Sequence, residues 1–298
     1  MLRDRFGRPA THIRLSVTNR CNYSCIYCHR EGLDRVDEEL SPEDWDFLVG
    51  VAVKLGLKFY KITGGEPLLY GGIVEVVNSV RRHGGIPSIT TNGYLLEEFA
   101  ESLARAGIDH INVSIHSLKR DIYAALTGLD SLDRVLAGVE KALKWGIKLK
   151  INYLVLKPNV DEVSDILHFA SSYSADINLI ELIPLGVSRE LYEKLHVNLD
   201  SVVQYLETVS VRKDMESFQN RTVYILPSGS RVYVIKGYGN PLMCAACSRI
   251  RIGPNGRMKL CLYGNFYQDL RPLIEARKEA ELTKAIASAI EMREPYFR

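Results

Sequence analysis

Short apolar runs recur along the first part of the chain, and each is followed by a loop and a stretch whose apolar residues return at helical spacing. Residues 12–18 alternate between polar and apolar side chains, which predicts a strand. Ser41 and Pro42 predict a helix N-terminus, because serine caps helices and proline suits the first turn. The predicted strands are 12–18, 58–63, 87–91, 109–115, 148–155 and 177–182. One predicted helix begins at Pro42, and the others lie at about 72–83, 96–106, 132–145 and 160–173.

Six strand-then-helix repeats predict a parallel sheet with right-handed crossovers. Since a closed barrel of this type needs eight repeats, we expect an incomplete, C-shaped (β/α)6 barrel over residues 1–185. Residues 186–298 are predicted to form an α+β extension, because the repeat stops there. The extension should contain a hairpin of residues 221–226 and 231–236, a second hairpin turning at 254–256, and helices between about 269 and 292.

Bulk composition excludes several classes of protein. The 298 residues are 46% hydrophobic and 25% charged, with a formal net charge of +2, and no long basic run predicts nucleic-acid binding. The first residues have no apolar core of a signal peptide, and no stretch approaches 18 uninterrupted apolar residues. We therefore expect a cytoplasmic protein without a membrane span.

The six cysteines form two triplets. Cys21, Cys25 and Cys28 follow the first strand as C-x3-C-x2-C, and a second group lies in the extension as C-x2-C-x13-C, at Cys244, Cys247 and Cys261. Disulfides need pairs, so two triplets in a chain without an export signal indicate metal binding. Three thiolates suit an iron–sulfur cluster and leave one iron without a protein ligand. A zinc site or unrelated cysteines are the alternatives, although structural zinc normally has four protein ligands.

Other unusual residues also follow predicted strands. They are the segment 64–67 (Gly-Gly-Glu-Pro), the segment 90–92 (Thr-Thr-Asn), Ser114, and Glu181 with Ile183. Since the active site of such barrels lies at the C-terminal ends of the strands, all of these should share one face with the first cysteine triplet.

The first cysteine triplet, with Tyr27 inside it and Gly-Gly-Glu-Pro after the second strand, resembles the radical S-adenosylmethionine (SAM) enzymes. This resemblance implies the incomplete barrel, a [4Fe–4S] cluster and SAM, whose cleavage yields a 5′-deoxyadenosyl radical. The second triplet, with Arg249 and Arg251 after it and Cys261-Leu-Tyr-Gly264 at its end, is similar to the GTP 3′,8-cyclases of molybdenum cofactor biosynthesis. That similarity runs from Arg14 to about Arg271.

Membership of that family implies two [4Fe–4S] clusters, with the purine of GTP at the open iron of the second. Carried over by position, the SAM-binding residues are Tyr27, Gly65, Ser114 and Ile183. The GTP-binding residues are Arg14, Lys61, Thr90, Lys150, Arg249, Ile250 and Arg251. Extended-chain alternation supports two of them, because Arg249 and Arg251 would point to the same side and suit a triphosphate. The alternative for these arginines, and for Lys150, is a solvated strand surface.

The chain departs from the family pattern at several positions. Lys61 and Asn178 stand where arginines are expected, and Ile183 replaces a methionine. His116 stands where an acid is usual and is interpreted as a satisfied polar group. The sequence ends at residues 294–298 without the Gly-Gly tail that is common in the family.

Two other functions compete with this interpretation. One is a different radical SAM enzyme with an auxiliary cluster, such as a peptide maturase, and the other is a zinc or RNA-binding module. The expected partners are GTP, an electron donor of flavodoxin or ferredoxin type and, in the pathway, cyclic pyranopterin monophosphate synthase.

Overall fold

The computed structural model describes residues 1–295, so the last three residues of the segment 294–298 lie outside the described range. The first part of this range alternates strands with helices. The strands are β1 (His12–Ser16), β2 (Phe59–Thr63), β3 (Ile86–Thr91), β4 (His110–Ser114), β5 (Lys148–Val155), β6 (Asp176–Glu181), β7 (Arg212–Glu216), β8 (Arg221–Ile225), β9 (Arg231–Ile235), β10 (Arg249–Ile252), β11 (Arg257–Lys259) and β12 (Tyr267–Asp269).

Helices follow most of the first six strands. They are α1 (Pro42–Lys54), α2 (Ile73–Arg82), α3 (Leu96–Arg105), α4 (Arg120–Thr127), α5 (Leu132–Lys144), α6 (Val163–Ser172), α7 (Arg189–Leu195), α8 (Asp200–Val209), α9 (Pro241–Ala245), α10 (Arg271–Glu275) and α11 (Glu279–Glu291). None of them combines the length and apolarity needed to cross a bilayer, within the part of the chain that the structure describes.

All twelve strands of the described residues form one sheet, in the order β12-β11-β10-β1-β2-β3-β4-β5-β6-β9-β8-β7. β1 to β6 are parallel neighbours, which confirms the predicted incomplete (β/α)6 barrel. The extension lengthens the sheet at both ends, because β10 pairs in parallel with β1 and β9 pairs in parallel with β6. The division at residue 185 stays a prediction, since strands from both sides of it share one sheet.

Local sequence signals explain where the elements begin and turn. The Ser41 side chain accepts a hydrogen bond from the Asp44 amide, and Asp44 accepts one from Ser41 in return, which caps α1 as the sequence predicts. The predicted hairpins are confirmed as the antiparallel pairs β8–β9 and β10–β11. Gly256, with φ of 79°, supplies the left-handed residue of the second turn. The predicted terminal helices are α10 and α11.

Alternation along the strands separates a core face from a barrel face. On β1, Ile13 and Leu15 are buried in the core between the sheet and the helices. Arg14 therefore points to the barrel interior, where it lines a cavity. On β10, Ile252 is likewise in the core, and Arg251 lines the cavity. The same alternation places the candidate site side chains of the barrel strands in the barrel interior.

The two extended ends of the sheet meet at the open side of the barrel. A turn at residues 218–220 joins β7 to β8, and the amide of Gln219 donates to the Ala246 carbonyl over 3.3 Å. The Asn220 side chain donates to the Leu242 carbonyl over 3.0 Å. We call this contact between the 218–220 turn and the α9 loop the seam. It closes the side of the C-shaped barrel.

Candidate active site

A cavity of about 1440 Å³ occupies the barrel interior and is lined by residues of both cysteine triplets. It extends from the cysteine loops at one end to Phe59 and Asp109 near the beginning of β2 and β4. The sequence-predicted residues that line it are Cys21, Cys25, Cys28, Tyr27, Gly65, Ser114, Ile183, Arg14, Lys61, Thr90, Lys150, Arg249, Arg251, Cys244, Cys247 and Cys261. A single chamber thus brings the predicted groups together.

Ile250 is the exception, because its side chain does not line the cavity. Its side chain is fully buried in the hydrophobic core. Because Ile250 lies between two residues that face the cavity, strand alternation turns its side chain to the opposite side of the sheet. Any contact of Ile250 with a ligand in the cavity would therefore come from its backbone, and its role in GTP binding stays a prediction.

The first cysteine loop is held by backbone hydrogen bonds to the end of α4. The amides of Ser24 and Ile26 donate to the carbonyls of Thr127 and Leu126, both over 3.1 Å. Burial raises the pKa of the Cys25 thiol to about 11, and the neighbouring thiols also raise it. A bare thiolate here is costly, so a bound metal cluster fits this donor set better than a free nucleophile does.

The Gly-Gly-Glu-Pro segment packs against the chain that carries the first triplet. A Cβ at Gly64 would lie 2.5 Å from the Thr18 carbonyl oxygen, and one at Gly65 would overlap the Arg20 carbonyl. The glycines are therefore required for close packing as well as for lining the cavity. Burial raises the pKa of Glu66 to about 7, and its carboxylate accepts hydrogen bonds from the β3 end.

His116 has the structural role that the sequence suggested. Its Nδ1 accepts a hydrogen bond from the Leu154 amide over 2.9 Å, and burial lowers its pKa to about 3. The neutral ring packs edge-on against Tyr27, with ring centroids 4.9 Å apart. His116 therefore supports a predicted SAM-binding side chain.

Positive charge dominates the middle of the cavity. Arg14 forms an ion pair with Glu31 over 3.3 Å, and Lys150 lies 3.8 Å from Asp176. Lys61 instead donates to Asn112 over 2.5 Å and contacts His110 Nε2 at 2.9 Å. Burial, followed by the charge of Arg14, lowers the pKa of Lys61 well below its usual value. These cations are only partly neutralised by the carboxylates around them.

The β10 arginines add to this charge. Arg251 is 5% exposed, and its buried Nε has no hydrogen-bond partner within residues 1–295. Burial, with Arg14 next in importance, lowers the pKa of both Arg249 and Arg251. Buried guanidinium groups without matched acids indicate a site for an anion.

A row of asparagines crosses the same interior surface. Asn112 and Asn178 both donate to Asn152 Oδ1, over 3.0 and 2.7 Å. The buried Oδ1 of Asn178 has no hydrogen-bond partner in the described part of the chain. Where the family pattern led us to expect an arginine, the structure offers a neutral acceptor.

The second cysteine loop is held by both ends of the described chain. Arg8 donates to the Cys244 carbonyl over 3.0 Å, and Arg293 donates to the Cys247 carbonyl. The buried Asp4 carboxylate lies 2.7 Å from Arg8 Nε and 3.6 Å from Arg293 Nη1. We call Asp4, Arg8 and Arg293 the terminal clamp. The β10–β11 hairpin returns Cys261 to the same cavity, as predicted.

Throughout residues 1–295, no three His, Cys, Asp or Glu side chains are grouped so as to hold a single metal ion. A cubane cluster takes each thiolate on a different iron, so its ligands surround a cluster rather than one ion. The donor set, three thiols on each loop facing one cavity, fits two such clusters.

Glu31, Gln219 and Arg221 are among the cavity-lining residues that sequence reasoning missed. Glu31 has a φ of 54°, and its pKa is lowered to about 2, because the charges of Arg14 and His29 outweigh its burial. The alternation of β8 contained a signal for Arg221, since Tyr224, an odd number of residues further on and so on the opposite face, packs in the core. Nothing local in the sequence marks Gln219.

Known protein families match nearly the whole length of the chain. The Radical SAM superfamily profile matches residues 15–170, and the Molybdenum Cofactor Synthesis C profile matches residues 175–298. A Saccharolobus solfataricus protein named "Probable GTP 3′,8-cyclase" is 37% identical over 99% of this chain and 98% of its own length. The chain belongs to the GTP 3′,8-cyclase family of radical SAM proteins. A Thermococcus kodakarensis member of the same name is 38% identical over 100% of both chains.

Solved structures confirm the radical SAM fold. Streptococcus suis SuiB bound to S-adenosylmethionine has a TM-score of 0.65 and 16% identity, over 94% of this chain and 66% of that chain. The anSMEcpe structure with bound AdoMet has a TM-score of 0.63 and 16% identity, over 92% and 83% of the two chains. At this identity the likeness shows the fold alone, so it does not favour the peptide-maturase alternative over the GTP 3′,8-cyclase family.

Proposed function

We propose that this protein is a GTP 3′,8-cyclase, which converts GTP to (8S)-3′,8-cyclo-7,8-dihydroguanosine 5′-triphosphate in molybdenum cofactor biosynthesis. The observation that carries this proposal is a set of buried, incompletely neutralised cations between two cysteine triplets in one cavity. The named relatives, which match over nearly their whole length, support the same reaction.

Membership of the superfamily assigns SAM and a [4Fe–4S] cluster to the first cysteine loop. Cys21, Cys25 and Cys28 would hold that cluster, which supplies an electron for SAM cleavage when bound. Tyr27 and Gly65 line the cavity beside this loop, and both keep their proposed SAM-binding roles. The proposed SAM site also includes Ser114 and Ile183. The barrel walls around them would exclude water from a reactive radical.

A second [4Fe–4S] cluster on Cys244, Cys247 and Cys261 is part of the proposal. Burial raises the pKa of the Cys247 thiol, but Arg249 and two further arginines lower it more, so the net shift is downward. A lowered thiol pKa favours a thiolate ligand. In this arrangement the guanine base lies toward the second loop and the ribose faces the SAM site across the cavity. Such orientation decides which hydrogen is abstracted.

The triphosphate would lie among the cavity cations. Arg14, Lys61 and Lys150 come from β1, β2 and β5, and Arg249 and Arg251 come from β10. Burial, followed by repulsion from neighbouring cations, lowers the pKa values of Lys61 and Arg249, so a bound polyanion would relieve an unfavourable field. Thr90 also faces this space and keeps its proposed contact.

The proposal includes partners and a compartment. A flavodoxin or ferredoxin type of protein would supply the electron, and cyclic pyranopterin monophosphate synthase would take the product. A cytoplasmic location remains a prediction from the clustered cysteines.

The function is tested by anaerobic incubation of reconstituted protein with GTP, SAM and dithionite, followed by mass spectrometry. We expect 5′-deoxyadenosine, methionine and a cyclised nucleotide with the 3′–8 bond. Parallel reactions without SAM, or with ATP in place of GTP, should give no such nucleotide. If SAM were cleaved under all conditions without any nucleotide product, the proposed cyclase function would be contradicted. That result would favour the peptide-maturase alternative.

Arg249→Ala and Arg251→Ala are each expected to weaken GTP binding by about 1.5–3 kcal/mol, because each removes a charge-assisted contact. Uncoupled SAM cleavage should persist in both, since the first cysteine loop is untouched. Equilibrium dialysis under anaerobic conditions measures the binding. Arg257→Ala, on the neighbouring β11 and outside the cavity, is the matched control. Normal GTP binding by both cavity variants would mean that these arginines are structural.

A further inference from the structure

Arg221, the first residue of β8, places a guanidinium in the cavity from the extended end of the sheet beyond β6. Its Nη2 donates to Gln219 Oε1 over 2.5 Å, and its Cζ lies 4.6 Å from the centroid of the Phe218 ring. Its buried Nε has no hydrogen-bond partner among the described residues. Arg221 is therefore held in place, with donor capacity left over.

The same two side chains of the seam hold Arg249, which comes from the opposite end of the sheet. Arg249 Nη2 donates to Gln219 Oε1 over 3.4 Å, and its Cζ lies 5.2 Å from the Phe218 ring centroid. One amide oxygen and one aromatic ring thus hold two guanidinium groups beside each other. Like charges held this close repel each other, which a bound anion between them would relieve.

Backbone strain accompanies this arrangement. Gln219 and Asn220 have φ values of 60° and 47°, a left-handed conformation that non-glycine residues rarely adopt. Such residues persist where surrounding contacts over-determine them, and they concentrate at functional sites. Phe218 also stacks against the His12 ring, at a centroid distance of 4.1 Å. The 218–220 turn therefore holds the guanidinium groups of Arg221 and Arg249 beside each other.

We propose that Arg221 is a further substrate-binding residue and that it and Arg249 jointly bind phosphate oxygens of the nucleotide, one from each end of the sheet. The substrate then bridges the seam and adds to the contacts that close this side of the barrel. This inference rests on the proposed function, because it takes the nucleotide to be GTP. Two adjacent guanidinium groups with unused donors match the forked geometry of phosphate recognition.

Arg221→Met tests the binding role, since it removes the charge and keeps an unbranched side chain over Phe218. We expect the Kd for GTP to rise at least tenfold, which is about 1.4 kcal/mol. The Kd for guanosine, which has no phosphate, should change less than twofold. Arg212→Met is the control, because Arg212 lies on β7, the strand that pairs with β8, and its side chain is 67% exposed. Arg221→Lys should bind GTP with intermediate affinity.

Amide hydrogen exchange with inorganic tripolyphosphate tests the bridging role. In the wild type, tripolyphosphate should slow exchange in residues 217–221 and 244–249, and in Arg221→Met it should not. Equal losses of GTP and guanosine affinity in Arg221→Met, or no loss of GTP affinity, would overturn the inference while the wild type still binds GTP. Failure of the wild type to bind GTP would overturn the proposed function and this inference with it.

Discussion

Cys25→Ala is expected to abolish SAM cleavage, whereas Cys247→Ala is expected to abolish only the nucleotide product. Cys25 is one of three thiols on the first loop, and two thiolates cannot hold the cluster that the radical chemistry requires. Cys247 belongs to the second loop, near the arginines that we assign to GTP. Its loss should leave the first site intact and remove the nucleotide's proposed anchor.

Iron analysis separates the two sites. After anaerobic reconstitution the wild type should contain about eight irons and each variant about four, as expected for two cubane clusters. Chromatography of 5′-deoxyadenosine and mass spectrometry of the nucleotide give the two activity readouts. Ser24→Ala, on the first loop, should match the wild type. Cyclised product from Cys247→Ala would contradict a required second cluster.

Asp4→Ala is expected to lower the free energy of unfolding by about 3–5 kcal/mol, because it leaves two buried arginines without their carboxylate. The Asp4 side chain is fully buried and contacts both Arg8 and Arg293. Asp4→Asn should cost less, since an amide oxygen can still accept from the Phe6 and Arg8 amides, which now lie 3.0 Å from Oδ1. Urea unfolding monitored by circular dichroism measures the change.

The control for the terminal clamp is Asp200→Ala. Asp200 pairs with Lys236 at the surface, with its side chain 67% exposed, so its removal should have little effect on unfolding. Asp4→Ala should also loosen the second cysteine loop, seen as lower retention of iron after dilution, with the first site unaffected. An Asp4→Ala protein as stable as Asp200→Ala would show that the clamp contributes nothing.

Local signals made much of the fold predictable. The Ser41 cap, the alternation of β1 and the βα repeat each depend on residues close in sequence, and the structure confirms all three. The helices α4, α7, α8 and α9 were missed, since α4, α7 and α9 are short and α8 follows the end of the repeat, where no helix was predicted before residue 269. Alternation alone also predicts that the Ile250 side chain points away from those of Arg249 and Arg251.

Other features were not predictable because they depend on distant pairing. The register that sets Arg14 opposite Arg251 joins the first strand to the tenth, and no spacing rule encodes it. Gln219 gains its role only when the 218–220 turn meets the α9 loop. The roles assigned to individual site residues stay predictions, although the cavity gathers most of them.

The parallel pairing of β1 with β10 has a consequence for biosynthesis. β1 ends at Ser16, and its outer neighbour begins at Arg249, so one edge of the nascent sheet stays unpaired while the residues between them are translated. At ribosomal speeds this delay is roughly ten to fifty seconds. An exposed edge strand is a template for aggregation. We therefore expect heterologous yield to depend on chaperones and growth temperature during translation, before any iron is needed.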